Sequence, residues 1–291
     1  MNVRDLAALI VLAAVWGASF LFIRVAAPAI GPFPLMGTRV VLAALALLPF
    51  VLVLGRFREV RERWRQFLFV GVFNAAIPFS LIAFAETEIT ASLAAILNSM
   101  TVLFSAVVAA AWFGDPLTSR RILGVVLGVS GVAVLVGLDP LPLNGAVLVA
   151  VGAMLLGSFC YALGGNYVKR TFSGVRPLTM AFGQQAGAAA LLVPLAVATA
   201  PGEAPSTPVA ASALALALLS TAFAYLLFFA LIARVGATST LTVTFLSPGF
   251  GVLFGVVLLD EPLGLGTLLG LGIVLFAVAL VTGVGFRRAK G

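Results

Sequence analysis

The sequence predicts an all-α polytopic membrane protein, with ten transmembrane helices in a five-plus-five inverted repeat, on three observations. The 291-residue chain is 62% hydrophobic and only 9% charged, with a mean hydropathy of +1.21. Soluble domains run roughly 45–50% apolar and about 25% charged. Apolar runs of about 20 residues, enough to cross the hydrocarbon core, follow one another about ten times and leave little chain for a soluble domain. Finally, the stretch 91–117 returns in altered form as 237–263, an offset of 146 residues.

Both copies break an apolar run at an acidic residue followed by Pro-Leu: Asp115-Pro116-Leu117 and Glu261-Pro262-Leu263. The same offset lays Leu123-Gly124 on Leu269-Gly270 and Gly137 on Gly283. Identity between the copies is sparse, but hydropathy, helix ends and glycines stay in phase, the mark of a duplication. The two repeat units are expected at 1–141 and 142–291. Five is an odd number of crossings, so the second unit starts on the opposite side and is inverted. Inverted repeats are an architecture of secondary transporters, whose sites lie near the midplane.

In order, the expected spans are 6–26, 33–54, 67–85, 90–113, 122–138, 143–168, 178–199, 209–233, 237–259 and 265–286. Pro, Gly and charge punctuate the gaps, as in 28–34, Asp139-Pro140-Leu141-Pro142 and 200–208. The first span shows no cleavage site and is read as retained. Ten crossings with Arg4 inside place 15 of the 17 basic residues on one side: the 56–65 run, Arg120, Arg121, Lys169, Arg170, Arg176, Arg234, Arg287, Arg288 and Lys290 with it. Glu86, Glu88, Asp139, Glu203, Asp260 and Glu261 fall opposite. By the positive-inside rule both termini are expected on the cytoplasmic side of the membrane. The net charge of +7 is then a topology signal, and no nucleic-acid partner is expected.

The absences narrow the chemistry. With one cysteine, Cys160, there is no intrachain disulfide, and with no histidine the commonest general base and metal ligand is missing. No carboxylate maps to mid-span, where a proton carrier would sit. Phosphate-binding loops, zinc spacings and paired catalytic carboxylates are not found. No cofactor, no metal and no enzymatic activity are expected; a membrane-embedded lipid-modifying enzyme would need a nucleophile or acid pair that does not converge here.

Polar groups inside spans are costly unless they face protein or water, so they are the site candidates. Asn98, Thr101 and Ser105 share one helical face, and at the 146-residue offset they meet Thr244, Ser247 and Gly251. Asn74 pairs with Ser220, and Thr38-Arg39 with Gln184-Gln185. Among aromatics, Trp16, Phe79, Phe84, Tyr161, Tyr225, Phe228 and Phe245 lie within spans. Trp16 stands in Trp16-Gly17-Ala18-Ser19, with Tyr161 as its approximate mate before Gly164-Gly165-Asn166. The expected substrate-binding set is Trp16, Ser19, Asn74, Phe79, Asn98, Thr101, Tyr161, Gly165, Tyr225, Thr244 and Ser247. Arg39 and Glu86 are expected to be gating or structural charges, with Glu86 or Glu88 pairing Arg39 near the outer end of the second span. Pro78 and Pro248 should bend their helices.

With these residues in view, the chain resembles the drug/metabolite transporter superfamily in its ten-span EamA branch. The resemblance rests on Trp16-Gly17-Ala18-Ser19-Phe20, on Arg39 followed by Leu42-Ala43-Ala44-Leu45, and on the paired blocks of the fourth and ninth spans (99–104 with Phe113-Gly114-Asp115, 245–250 with Asp260-Glu261-Pro262). It covers essentially the whole chain. Members typically carry Pro where Val102 stands, whereas Pro248 keeps the pattern. The resemblance implies export of small molecules, the likeness being greatest to bacterial aromatic amino-acid and drug exporters, and so implies a place in a bacterial inner membrane. Expected partners are a small-molecule substrate (amino acids or hydrophobic amines) and the lipid bilayer, with the protein a monomer. The leading expectation is export of zwitterionic metabolites by alternating access without obligatory ion coupling. Proton- or sodium-coupled export of organic cations is the alternative.

Overall fold

The computed structural model describes residues 2–138, 144–240 and 242–283. Ten helical spans follow in order: α1 (Val3–Ile30), α2 (Pro32–Val53), α3 (Trp64–Ala85), α4 (Ala91–Asn98 continued by Met100–Phe113), α5 (Ser119–Leu138), α6 (Gly145–Thr171), α7 (Pro177–Ala198), α8 (Thr207–Val235), α9 (Ala237–Thr240 continued by Val243–Leu259) and α10 (Leu265–Thr282). A short helix, Phe57–Glu62, lies in the α2–α3 connection. The expected spans are reproduced to within a few residues. The expected boundary at 141/142 and the end of the tenth span at 286 lie outside the described residues.

Local chemistry explains where these helices start and stop. Asn2, Thr90 and Asn144 cap α1, α4 and α6, each side-chain oxygen accepting from the amide three residues on, which satisfies an otherwise orphan donor. Pro32 and Pro177 open α2 and α7, where a missing N–H costs nothing. The inversion is written into the other ends. The fourth span closes on Gly114 (φ 69°) and α9 closes on Asp260 (φ 53°), both left-handed and 146 residues apart. Asp260 is the one non-glycine residue with positive φ among those described, and Asp tolerates that region better than most.

A second repeated feature is a π-helical turn, at Val72–Ala76 in α3 and Leu218–Phe223 in α8. Pro78 follows the first and removes an amide donor, but Ala224 stands at the matching place in α8. Proline is therefore not the common cause. In α8 the Thr221 hydroxyl donates to the Leu216 carbonyl five residues back at 2.8 Å, which satisfies an acceptor that the widened turn leaves over. Such turns recur at functional sites.

The two repeats interleave. Span α1 packs against α8 and α9, and α6 packs against α3 and α4; α2 lies along α7, and α5 along α10. Each of the first two groups is a triad of one span from one repeat with two from the other, and the inversion axis exchanges them. Gly17 lets α1 approach α9, since a Cβ there would stand 2.6 Å from Phe250 Cβ and 2.9 Å from the Ser247 carbonyl oxygen. Gly164 does the same for α6, at 2.6 Å from Asn74 Cβ on α3. Small residues at such crossings are how membrane helices pack closely.

The triads do not meet evenly along their length. The face bearing the 56–65 run, Arg120, Arg170 and Arg234 is called here the basic face, and the face bearing Glu86, Glu88 and Glu261 the acidic face. Toward the acidic face, the Ala91–Asn98 part of α4 packs on both α1 and α9, and the end of α3 touches α1. Toward the basic face, among the described residues, the Trp64–Gly71 and Met100–Phe113 segments pack extensively only within their own triad and on flanking spans. The interior between the triads is thus closed at the acidic face and loosely packed at the basic face.

Candidate substrate chamber

Two aromatic pairs, one within each triad, are related by the inversion. Phe79 of α3 meets Tyr161 of α6 edge-on, with ring centroids 6.2 Å apart and planes at 65°. Tyr225 of α8, 146 residues after Phe79, meets Trp16 of α1 at 5.9 Å and the same 65°. Trp16 also leans on Phe228 at 5.1 Å. Edge-to-face contact is the favourable arrangement of two ring quadrupoles. The approximate mates Trp16 and Tyr161 therefore occupy equivalent seats.

Polar bonds at the same depth are also paired. Arg39 Nε of α2 donates to the Thr221 hydroxyl of the α8 π-turn at 2.7 Å. Asn74 Nδ2, in the α3 π-turn, donates to Gln184 Oε1 of α7 at 2.8 Å. In each repeat, then, a polar side chain of the second span meets the π-turn of the other repeat. Gln184 and Gln185 are fully buried, and both amide atoms of Gln185 lack partners. Ser220 donates to the Val15 carbonyl at 2.9 Å.

The expected pairing of Arg39 with Glu86 or Glu88 is not made. The ion pairs among the described residues are Arg58–Glu62, Arg170–Asp115 and Arg234–Asp5. Arg39 is only 4% exposed, with its guanidinium carbon 3.6 Å from the centre of the Phe79 ring. Equal depth suggested the pairing, but the helix rotates Arg39 onto a ring and a hydroxyl across the interior. Glu88 is exposed, while Glu86 is fully buried with neither carboxylate oxygen hydrogen-bonded.

On α4, Asn98 Oδ1 and Thr101 Oγ1 are buried without partners, and Asn98 ends the first helical segment just before the break. Register with α6 is set by Ser158, which donates to the Leu97 carbonyl, and by Asn166 Nδ2, which donates to Ser105 Oγ at 2.9 Å. That register sets Thr101 level with the Tyr161 turn. Ser105, expected on the Asn98 face, is thus engaged by Asn166. Ser19 bonds within its own helix, donating to the Trp16 carbonyl at 2.8 Å. Thr244 and Ser247 are half-buried at the start of the long segment of α9, Ser247 with its carbonyl against Gly17. Gly165 is exposed, with no neighbour where a Cβ would stand.

Sequence reasoning missed the closure at the acidic face. Glu261 accepts from the amides of Ala91 at 2.7 Å and Ser92 at 2.9 Å, and from the Ser92 hydroxyl. A carboxylate from the α9–α10 connection thereby caps the N-terminus of α4, where the helix dipole favours negative charge. Arg24 donates to the Glu86 and Thr87 carbonyls nearby. Above this seal a hollow of about 540 Å³ opens to the surface, lined by Arg24, Val25, Pro28, Thr87, Thr90, Leu259 and Glu261. The acidic-Pro-Leu motif was the available signal, though it marked a helix end and gave no partner. Its counterpart Asp115 instead meets Arg170 at 3.1 Å in a solvent-exposed pair.

This arrangement of triads, chamber and one closed face can be set beside known proteins. A solved crystal structure superposes over the whole of both chains with a TM-score of 0.70 at 16% identity, a likeness of fold alone. The uncharacterized inner membrane transporter YedA of Escherichia coli K12 is 27% identical over 94% of this chain and 89% of its own. The uncharacterized transporter YvbV of Bacillus subtilis is 26% identical over 91% of this chain and 87% of its own. The profile of the EamA-like transporter family matches twice, over residues 5–137 and 148–283, one match to each repeat. The duplicated sequence, the interleaved inverted spans and this double match together establish that the chain belongs to the EamA-like transporter family.

Proposed function

We propose that this transporter exports small zwitterionic metabolites, amino acids with hydrophobic or aromatic side chains, by alternating access without obligatory ion coupling. The observation that carries the reading is the inversion-related aromatic pairs, Trp16–Tyr225 and Tyr161–Phe79, set among amides and hydroxyls with Arg39 as the one cation against Phe79. The unpartnered oxygens of Asn98 and Thr101 suit an ammonium group, and Thr244 and Ser247 are their counterparts on α9. A positive-inside orientation makes the basic face cytoplasmic, so the form described here is closed outward and receives substrate from the cytoplasm. Rocking of one triad against the other would carry a monomer to its outward-open form. A zwitterion bears no net charge, so its own gradient suffices. The test is flux in liposomes against a panel of labelled amino acids, sugars, organic cations and phosphates. Aromatic amino acids should equilibrate without a pH or sodium gradient; failure of every amino acid to move would sink the reading.

Proton-coupled export of hydrophobic cations is the second reading, and Glu86 is the observation that favours it. In the turn beyond α3, burial, followed by the charge of Glu261, pushes its carboxyl well above the usual range, against the opposing pull of Arg24 and Arg39. A raised folded value means that the closed form gains stability below the ordinary carboxylate range and loses it as pH rises through the raised value. Under this reading an imposed pH gradient drives uptake above the substrate's own gradient, and Glu86→Gln abolishes it. Equal flux in both proteins, with no accumulation, would return the assignment to uncoupled transport.

A further inference from the structure

We infer that Arg39 is the anchor for the substrate's carboxylate, so that the chamber selects molecules carrying an acid group beside an aromatic or aliphatic side chain. The inference rests on the amino-acid reading above and gives its site a polarity.

Three observations carry it. The first is an incomplete coordination. Arg39 is 4% exposed and uses Nε on Thr221, while Nη1 has only the Met36 sulfur at 3.8 Å. Nη2 has no hydrogen bond among the described residues, and no carboxylate there forms an ion pair with Arg39. A guanidinium presents five donors in a planar fork that fits a carboxylate with two parallel bonds. Here the fork is fixed at its stem by Thr221 and by the Phe79 ring, which leaves its far edge for an incoming acid.

The second is what surrounds it. The Phe79 ring under the guanidinium meets Tyr161 edge-on, and Thr221, which accepts from Arg39, stands one turn before Tyr225 on α8. A carboxylate on Arg39 would therefore leave its side chain between Trp16, Tyr161 and Tyr225. Asn98 and Thr101, on the other triad from α8 and level with Tyr161, would be left for the ammonium group.

The third comes from the inversion. Gln185 stands where Arg39 stands in the other repeat, on the same span of its unit, and is fully buried too. Packing of α7 is achieved with a neutral amide, so packing of α2 does not by itself call for a cation. The charge belongs to one repeat only, as a ligand with one acid group would require.

Matched ligands separate this role from a structural one. Half-saturation would be measured in proteoliposomes for phenylalanine and for phenylalaninamide, which keeps the ammonium and the ring but lacks the acid. Arg39→Gln should raise the value for phenylalanine by about 10- to 100-fold, the range of a hydrogen-bonded charge, and leave the amide within about twofold. Arg39→Lys, which keeps the charge without the fork, should lie between the two and guards against loss of fold in the Gln variant. Equal losses for both ligands, or unchanged discrimination, would overturn the anchor while leaving amino-acid transport intact. Wild-type vesicles that carry no phenylalanine would remove the underlying reading, and the anchor with it.

Discussion

The two repeats are alike in frame and unlike in chemistry. Both carry a π-turn in the third span of the unit, a left-handed residue at the end of the fourth, and on that third span an aromatic ring that meets one of the other repeat edge-on. Yet the first holds Arg39 where the second holds Gln185. The buried Glu261 seals α4 at one face, whereas its counterpart Asp115 sits in a solvent-exposed pair at the other. Inverted copies of one frame can exchange shape through a rocking motion, because each state of one triad is a state the other can adopt. A substrate has no such symmetry, so the groups that recognise it must differ between the halves.

The largest test of the frame is all-or-none. In a Cys160→Ser background, a cysteine placed at Ser119 should react with a membrane-impermeant thiol reagent only from the cytoplasm. One placed at Ser206, in the α7–α8 connection, should react only from outside. Labelling of both from the same side would break the inversion, and with it the comparison of halves.

Next in size is the difference between the two acidic-Pro-Leu motifs. Glu261 is 9% exposed and accepts three hydrogen bonds at the start of α4, so Glu261→Ala should cost about 3 kcal/mol. Asp115→Ala removes an exposed pair and should cost less than about 1 kcal/mol. Thermal unfolding in detergent would read the difference, with the Glu261 variant melting well below the other. If the two variants melt together, the seal at the acidic face is not the asymmetric feature described.

The frame was legible in the sequence because its signals are local. Hydropathy marks each span, Pro and Gly mark the ends, and the lysines and arginines divide by face. The aromatic and amide positions were legible as candidates for a similar reason: a polar or broad side chain within an apolar run stands out. What joins them was not legible, because contact across the interior depends on helix rotation and crossing. Arg39 and Glu86 lie at similar depth along the chain's path, yet one turns to Phe79 and Thr221 and the other stays unpaired. The π-turns left no pattern beyond Asn74 and Ser220 at equivalent places. Ser105 and Ser19 looked available from the sequence and are engaged with Asn166 and with the Trp16 carbonyl.

The smallest expected effect compares the two aromatic seats directly. Trp16 is in contact with Tyr225 and Phe228, in the triad away from Phe79, and under the proposed reading it would meet the substrate's side chain. An aromatic pair is worth about 0.5–1.5 kcal/mol beyond its buried area, so Trp16→Ala should weaken aromatic substrates by about 2- to 10-fold. Alanine-sized substrates would not reach the indole under that reading and should change little. Tyr161 sits instead against Phe79, whose ring carries the guanidinium of Arg39 at 3.6 Å. Tyr161→Ala frees that ring to shift, and Arg39 with it, so every substrate bearing an acid group should weaken to a similar degree whatever its side chain. Half-saturation for phenylalanine and alanine, measured on both variants, gives a ratio for each. A ratio that rises only with Trp16→Ala would assign side-chain selectivity to one seat and support of the anchor to the other. Ratios that move together, in proteins of equal melting temperature, would mean that the seats are equivalent in function as well as in position.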